Sequence, residues 1–307
     1  MRALLVVNPA ATTTSPQVRD VIAAALASHC KVEVAGTEGR GDAAGLAAQA
    51  ADDGMDLVVV LGGDGTINEV VNGLMHAWPH ETPPALAILP GGHTNVLARS
   101  LGLPRDPVAA TSRLLHTLAT GSRRRIGLGR ADERWFTFCA GLGIDAAVVA
   151  RIERARAAGH PVHTRRYVAA ALAEFVTGVW HRDGALELTV DEVETPERAH
   201  AALITNTAPW TYLGPRAVNP CPQASFDTGL DLFALTSSGL AATLTTVAGM
   251  LAPAGRRPAH GGRTWHDLDV LHLRAAHPLP FQVDGEYAGA RDDVWLRAVP
   301  DCLDLVV

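Results

Sequence analysis

Leu61-Gly62-Gly63-Asp64-Gly65-Thr66-Ile67-Asn68-Glu69 joins an apolar run, Leu57 to Val60, to a segment where Ile67, Val70, Val71 and Leu74 recur at helical spacing. A buried strand therefore feeds a glycine-rich turn that opens a helix. Such a turn presents backbone N–H groups, and the helix dipole adds partial positive charge, which together suit a phosphate. An acid inside the turn is unexpected, because a carboxylate repels phosphates unless a metal ion or a proton intervenes. Asp64 accordingly reads as chemistry rather than as part of a cradle.

The same alternation extends to both sides of this turn. Ala3–Val7 reads as a strand, and Val18, Val21, Ile22, Ala25 and Leu26 have helical spacing. Lys31–Ala35 is strand-like, Ala43–Ala51 is an alanine-rich helix, Ala85–Leu89 a strand, and a helix is expected from about Thr94 to Leu101. This β-α-β-α order implies a three-layer α/β domain with a parallel sheet over residues 1–121, completed by a C-terminal segment of about 293–307. Ligands bind such sheets at the C-terminal strand ends. Asn8-Pro9, Gly62 to Thr66 and Pro90 to Asn95 all fall there.

From Ile126 the character changes. Short strand candidates recur at Trp135–Cys139, Ala185–Val190, Ala201–Thr205, Leu230–Leu235, Leu268–Leu273, Leu279–Val283 and Val294–Ala298. Pro-, Gly- and Asp-rich turns separate them, which suits a mainly antiparallel β-sandwich over 122–292. Helical inserts are expected at Ile144–Ala157 and Arg165–Trp180. A cleft between an α/β lobe and a β lobe is a common place for an active site.

Composition sets outer limits. The chain has 307 residues, 48% of them hydrophobic, and a formal charge of −6, which argues against a broad basic surface for nucleic acid. Lys31 stands alone against twenty-five arginines, and no G-x-x-x-x-G-K-[ST] occurs, so P-loop chemistry is excluded. Cys30, Cys139, Cys221 and Cys302 are scattered without metal-ligand spacing, which points to reduced thiols in the cytoplasm. Leu4 to Val7 is too short for a signal peptide, and no apolar stretch reaches the roughly 18 residues of a span. A soluble protein, attached at most to the inner face of a membrane, is expected.

With these pieces placed, the sequence resembles the diacylglycerol kinase catalytic family, which includes bacterial diacylglycerol kinases, related lipid kinases and sphingosine kinases. The resemblance rests on an ordered set of motifs across nearly the whole chain. They are Asn8-Pro9, Thr37 with Gly41-Asp42-Ala43, Gly62 to Thr66 with Glu69, and Leu89-Pro90-Gly91-Gly92-His93-Thr94-Asn95 with Ala98-Arg99. Gly141-Leu142-Gly143-Ile144-Asp145-Ala146 and Val283-Asp284-Gly285-Glu286 follow. The resemblance implies ATP and Mg²⁺, a lipid alcohol as acceptor, peripheral membrane contact and a homodimer. It places Asn8, Pro9, Thr37, Gly62, Gly63, Gly65, Thr66, Glu69, Gly92, His93, Thr94, Asn95 and Arg166 around the nucleotide. The base is Asp64 or Glu286. We favour Glu286, with Asp64 organising acceptor and metal and Asp284 supporting the cluster.

The residues themselves agree with that chemistry, since phosphoryl transfer needs positioning, charge neutralisation and a base near the acceptor hydroxyl. Taken singly, several motifs are weaker: Asp284-Gly285 is also an ordinary hairpin turn, Glu69 also fits a solvated helix face, and Asp145 serves equally as a helix-terminal acid or a substrate contact. Three departures stand out. Ala10-Ala11-Thr12-Thr13 replaces a more flexible loop. His93 stands where Ser or Thr is usual, and Val96 where many members have Asp. The loop Ala224 to Gly229 resembles one that holds a structural magnesium, but Thr228 replaces an acid and leaves Asp227 as the candidate ligand. The competing readings are a nucleotide-binding regulatory protein that has lost catalysis and an NAD-kinase-like enzyme. The apolar segments Tyr167–Trp180 and Leu240–Leu251 are candidates for a lipid groove.

Overall fold

The structure, a computed structural model, describes residues 1–158, 186–236, 245–246, 249–250 and 261–307. The chain divides into two compact units, Met1–Leu128 with Asp301–Val307 and Gly129–Pro300.

The first unit alternates β1 (Arg2–Val7), α1 (Pro16–Ala27), β2 (Lys31–Gly36), α2 (Asp42–Asp52), β3 (Leu57–Gly62), α3 (Asp64–Leu74) and β4 (Ala85–Pro90), then α4 (Val96–Ser100) and α5 (Pro107–Thr120). Its strands pair in parallel in the order β2-β1-β3-β4, and Leu305 from the chain's last segment adds in parallel beside Leu86. β3 is buried along its whole length, as its unbroken Leu-Val-Val-Val-Leu-Gly sequence requires of a central parallel strand. Alternate strand residues (Leu5, Val7, Val59, Leu61, Ala87, Leu89) meet Ile22 and Leu26 of α1 and Ala110 and Leu114 of α5. The α2–α3 pair packs on β1 and β3 from the other side. This is the expected three-layer arrangement.

Local chemistry fixes the helix starts. Ser15 accepts from Val18 N–H ahead of Pro16 in α1, and Asp106 accepts from Ala109 N–H ahead of Pro107 in α5. The α3 start differs, because Gly63 is its cap and no side chain closes the first turn. A helix end without a side-chain cap suits an anion. Helix α4 begins at Val96 rather than at Thr94, because Asn95 sits in the left-handed region at φ 48° and belongs to the turn.

After β5 (Arg124–Ala131), whose last residues open the second unit, come β6 (Arg134–Phe136), β7 (Cys139–Leu142), α6 (Ile144–Ala157), β8 (Leu186–Val190), β9 (Val193–Ala199), β10 (Ala201–Thr205), β11 (Thr211–Leu213), β12 (Arg216–Val218), β13 (Leu230–Leu235), β14 (Gly262–Leu268), β15 (Val270–Val283) and β16 (Glu286–Leu305). Pairing here is antiparallel. The first part of β15 carries β8, which pairs with β9, and its last part carries β7, beyond which lie β10, β13 and β14. Register shifts between Arg274 and Leu279 and between Pro280 and Gln282 mark where β15 changes partner. Leu186 and Leu188 of β8 share one core with Ile204 of β10, Leu232 of β13 and Phe281 of β15, as two faces of a sandwich do. Two expected strands, Leu268–Leu273 and Leu279–Val283, lie largely in the single β15, and the expected strand Trp135–Cys139 breaks into β6 and β7. The helix at Ile144–Ala157 forms as the periodicity suggests, whereas Arg165–Trp180 lies outside the described residues.

Candidate active site

In the first unit the glycine turn after β3 and the one after β4 are stacked backbone on backbone. A Cβ on Gly92 would lie 2.6 Å from Gly63 Cα and 2.9 Å from Asn95 Oδ1, and one on Gly91 would lie 3.0 Å from Gly62 Cα. Gly91 N–H donates to Gly62 O at 2.7 Å. These glycines are therefore required for the two turns to meet, whatever ligand they face. Asn95 is buried and ties its own turn, accepting from Gly92 N–H at 2.9 Å and donating to Gly92 O at 2.8 Å.

The neighbouring polar side chains brace the same region. Asn8 Nδ2 donates to Thr66 Oγ1 at 2.8 Å, and its Oδ1 accepts from Ala10 N–H, so Asn8 links the loop after β1 to α3. Thr13 N–H reaches Gly91 O at 3.0 Å, which closes the hydroxyl-rich 10–15 loop onto the second turn. Glu69 accepts from Gly41 N–H at 2.9 Å, joining α3 to the start of α2. Thr37 N–H donates to Val7 O at the strand ends. The Asp64 carboxylate accepts from Val96 N–H at 3.0 Å and Leu97 N–H at 3.3 Å, so it caps α4. His93 is exposed and Thr94 partly so, both on the rim of the second turn. The buried Thr14 hydroxyl has no hydrogen-bond partner. An open pocket of about 470 Å³ beside α1, lined by Val7, Pro9, Arg19, Asp20, Ala23, Val34 and Gly36, excludes both glycine turns from its lining.

In the second unit the β15–β16 hairpin turns on Asp284-Gly285, with φ of 48° and 77°, a two-residue loop of the kind Asp-Gly favours. Asp284 does more than turn the chain. Its carboxylate is 2% exposed and accepts from Thr137 N–H (2.7 Å) and Oγ1 (2.9 Å), Phe138 N–H (2.9 Å) and Cys139 N–H (3.0 Å). Burial pushes this carboxyl up, and the four donors pull against that. Asp284 thus latches the hairpin to the β6–β7 segment. Glu286 accepts from Arg134 Nη2 at 3.1 Å. Gly285 N–H donates to Gln282 Oε1 at 2.8 Å, and Tyr287 N–H to Glu153 Oε1 at 2.9 Å.

Asp145 and Glu153 project from α6 about two turns apart. Gln282 Nε2 donates to Asp145 Oδ2 at 2.9 Å. Burial pushes the Asp145 carboxyl up to about 7, the Gln282 hydrogen bond opposing it. The Cys139 thiol beside them is pushed far up, by burial first and then by the Asp284 and Asp145 carboxylates, and is no thiolate nucleophile. Arg134, Thr137, Gln282 and Glu153 escape sequence reasoning, because their partners are remote: Arg134 is 152 positions from Glu286. The buried Gln282, two residues before the Asp-Gly turn, is the one signal that could have been read.

Among the described residues no group of three His, Cys, Asp or Glu side chains could hold a metal ion. Asp227, the candidate ligand in the Ala224–Gly229 loop, accepts from Ser225 Oγ at 3.4 Å. A nucleotide-borne Mg²⁺ needs only one or two carboxylates besides phosphate oxygens, and Asp64 at the cradle fits that smaller demand. Arg166 and Tyr167–Trp180 lie outside the described residues, as does Leu240–Leu251 apart from 245–246 and 249–250.

Stacked glycine turns before a helix that lacks a side-chain cap, in a parallel α/β unit followed along the chain by an antiparallel β unit, define the class of this fold. Residues 2–131 match the family model described as the diacylglycerol kinase catalytic domain. The chain is 42% identical over 103 residues to "Diacylglycerol kinase" of Bacillus subtilis (strain 168), a match covering 34% of this chain and 32% of that protein. The first relatives are thus matched over less than half of their length. A longer similarity, 27% over 286 residues, covers 90% of this chain and 86% of the "Probable lipid kinase YegS-like" of Stenotrophomonas maltophilia (strain K279a). The crystal structure of a diacylglycerol kinase from Bacillus anthracis str. Sterne superposes with a TM-score of 0.72 at 21% identity, over 99% of this chain and 96% of that one, which shows the shared fold.

Proposed function

We propose that this protein is an ATP-dependent lipid kinase that transfers the γ-phosphoryl group of ATP to the hydroxyl of diacylglycerol or a similar lipid alcohol. The observation that carries this reading is the open start of α3 behind two interlocked glycine turns, inside the segment that matches the kinase family. The first unit holds the nucleotide. N–H groups of the Gly62–Thr66 and Gly91–Asn95 turns face the phosphates, and the Thr94 hydroxyl and the His93 ring contact them from the rim. Asn8, Thr66, Glu69 and Asn95 keep those turns in place, and Thr37 lines the nucleotide at the strand ends.

Glu286 is the base in this reading. Glu286 takes the proton of the acceptor hydroxyl as its oxygen forms the new bond to phosphorus, the bond from γ-phosphorus to the β–γ bridging oxygen breaks, and ADP leaves. Asp64 is committed to the amides of Val96 and Leu97, which favours Glu286 over it as the base. Asp284 holds the hairpin rather than touching substrate. Bound Mg²⁺ would neutralise charge developing on the phosphates, with Asp64 as its protein ligand. The β unit holds the lipid while the enzyme works at the cytoplasmic face of a membrane, and the family resemblance adds a homodimer, which sedimentation would measure.

Incubation with radiolabelled ATP, Mg²⁺ and a panel of diacylglycerol, ceramide, sphingoid base, undecaprenol and phosphatidylglycerol in mixed micelles tests the reading. Transfer to one of these lipids, lowered by about 10²–10⁴-fold in Glu286→Gln and strongly reduced in Asp64→Asn, is the expected result. No transfer to any of them overturns it. ATP binding without transfer would instead support a regulatory protein, a reading that His93 and the committed Asp64 carboxylate favour. Flotation with liposomes checks the membrane contact separately.

A further inference from the structure

The hairpin that carries Glu286 is anchored on both sides of that residue. Asp284 holds Thr137, Phe138 and Cys139, Gln282 holds Gly285 N–H, and Glu153 holds Tyr287 N–H. The backbone of the turn is therefore secured without any contribution from the Glu286 side chain. That side chain nevertheless has its own ion partner, Arg134, through Nη2 to Oε2 at 3.1 Å. Arg134 opens β6, three positions before Thr137, the first of the residues that Asp284 grips. The strand bearing the cation and the turn bearing the carboxylate are thus fastened to each other independently of the ion pair.

The pair is sheltered as well, with the two side chains 32% and 23% exposed. A glutamate has three rotatable side-chain bonds and, unrestrained, would occupy several rotamers. A planar guanidinium restrains the direction of a carboxylate more than a point charge does. What the pair adds is therefore orientation of the carboxylate rather than stability of the hairpin.

We propose that Arg134 is a positioning residue, which holds the Glu286 carboxylate in the orientation from which it accepts the acceptor proton. The assignment rests on the reading of Glu286 as the base. A general base works only within about 2.6–3.2 Å of the proton it removes, and a misplacement of about 1 Å can cost on the order of 10²-fold in rate.

The test compares wild type, Arg134→Met, Arg134→Lys, Glu286→Gln and the Arg134→Met/Glu286→Gln double variant, each with kcat, KM for ATP and thermal unfolding measured. Arg134→Met should lose about 10-fold or more in kcat with KM for ATP within about twofold of wild type, in line with a displaced catalytic group. Arg134→Lys should recover part of the loss. The double variant should be no slower than Glu286→Gln alone, because without the base there is nothing left to orient. The proposal fails if the methionine change slows both backgrounds by the same factor, if it raises KM for ATP with kcat intact, or if the loss merely follows the unfolding temperature. Wild-type protein that phosphorylates no lipid removes the proposed function and this assignment together. An active wild type with an unimpaired Arg134→Met removes the assignment alone.

Discussion

Replacing Asp145 by Asn should change how stability depends on pH, and the size of the change follows from where the carboxylate sits. Burial beside Cys139 pushes its carboxyl from 3.8 to about 7, with the Gln282 amide opposing. The folded protein therefore holds a proton that the unfolded chain releases near pH 4. For an acid raised in this way, the proton favours the folded state fully below the unfolded value. That contribution declines as pH rises from about 4 to about 7 and is gone above it. At about 1.36 kcal/mol for each pH step, the full span is ~4 kcal/mol, of which roughly two thirds falls between pH 5 and 8. The residue is only partly buried by surface area, which weakens the penalty on the charged form, so a loss of about 1–3 kcal/mol over that interval is expected.

Asparagine keeps an oxygen for the Gln282 amide and never ionises. Urea unfolding of both proteins at pH 5, 6, 7 and 8 gives the comparison, because pH effects elsewhere cancel in the difference. Asp145→Asn should already be somewhat the more stable at pH 5 and increasingly so up to about pH 7, with the gap nearly constant beyond. If the difference is flat with pH, or if the aspartate protein gains on the variant as pH rises, the argument from burial is wrong.

Asp284→Ala would leave three backbone N–H groups and a hydroxyl without their acceptor in a buried place, a loss of about 3–5 kcal/mol; a thermal midpoint within a degree of wild type would contradict it. Gly92→Ala puts a methyl 2.6 Å from Gly63 Cα. It should lower ATP affinity, read by isothermal titration, by at least about 10-fold, as the two turns must part by a good fraction of an ångström. Gly73→Ala is a control of the opposite kind. Its Cβ would lie 2.1 Å from Ala44 O between α3 and α2, so unfolding should come earlier by about 1–3 kcal/mol, while KM for ATP in the folded fraction stays as in wild type.

The parallel unit was legible because β1, β3 and β4 are short, nearly unbroken apolar runs, β2 alternates as an outer strand does, and the longer helices have periodic apolar faces, so local pattern and tertiary role coincide. Ile144–Ala157 was legible for its length and spacing, despite a weak division between its faces. The β unit was harder. Nothing local distinguishes one long strand that exchanges partners from two short ones, and β15 joins Leu271 and Phe281 in one strand although their partners lie in β8 and β7. At the site, the glycine turns could be read, since a backbone that must approach another leaves glycine in the sequence. The specific use of Asp64, Asp284 and Glu69 could not. Each bonds groups that the chain brings from 28 to 147 positions away, and only folding puts them side by side.

The first unit takes its final strand residues from the far end of the chain: Leu305 pairs with Leu86, Val306 N–H donates to Leu86 O, and Val306 enters the core beside Leu114. On the ribosome this creates a delay. Some 170 residues separate Leu128 from Asp301, and at roughly 5–20 residues per second the nascent chain exposes the outer edge of β4 for on the order of 10–30 s before its partner is synthesised. An open apolar edge invites pairing with other chains. Trigger-factor-type chaperones, or slow translation that keeps nascent chains far apart, would therefore matter more to the yield of this protein than to that of one whose sheet closes in sequence order.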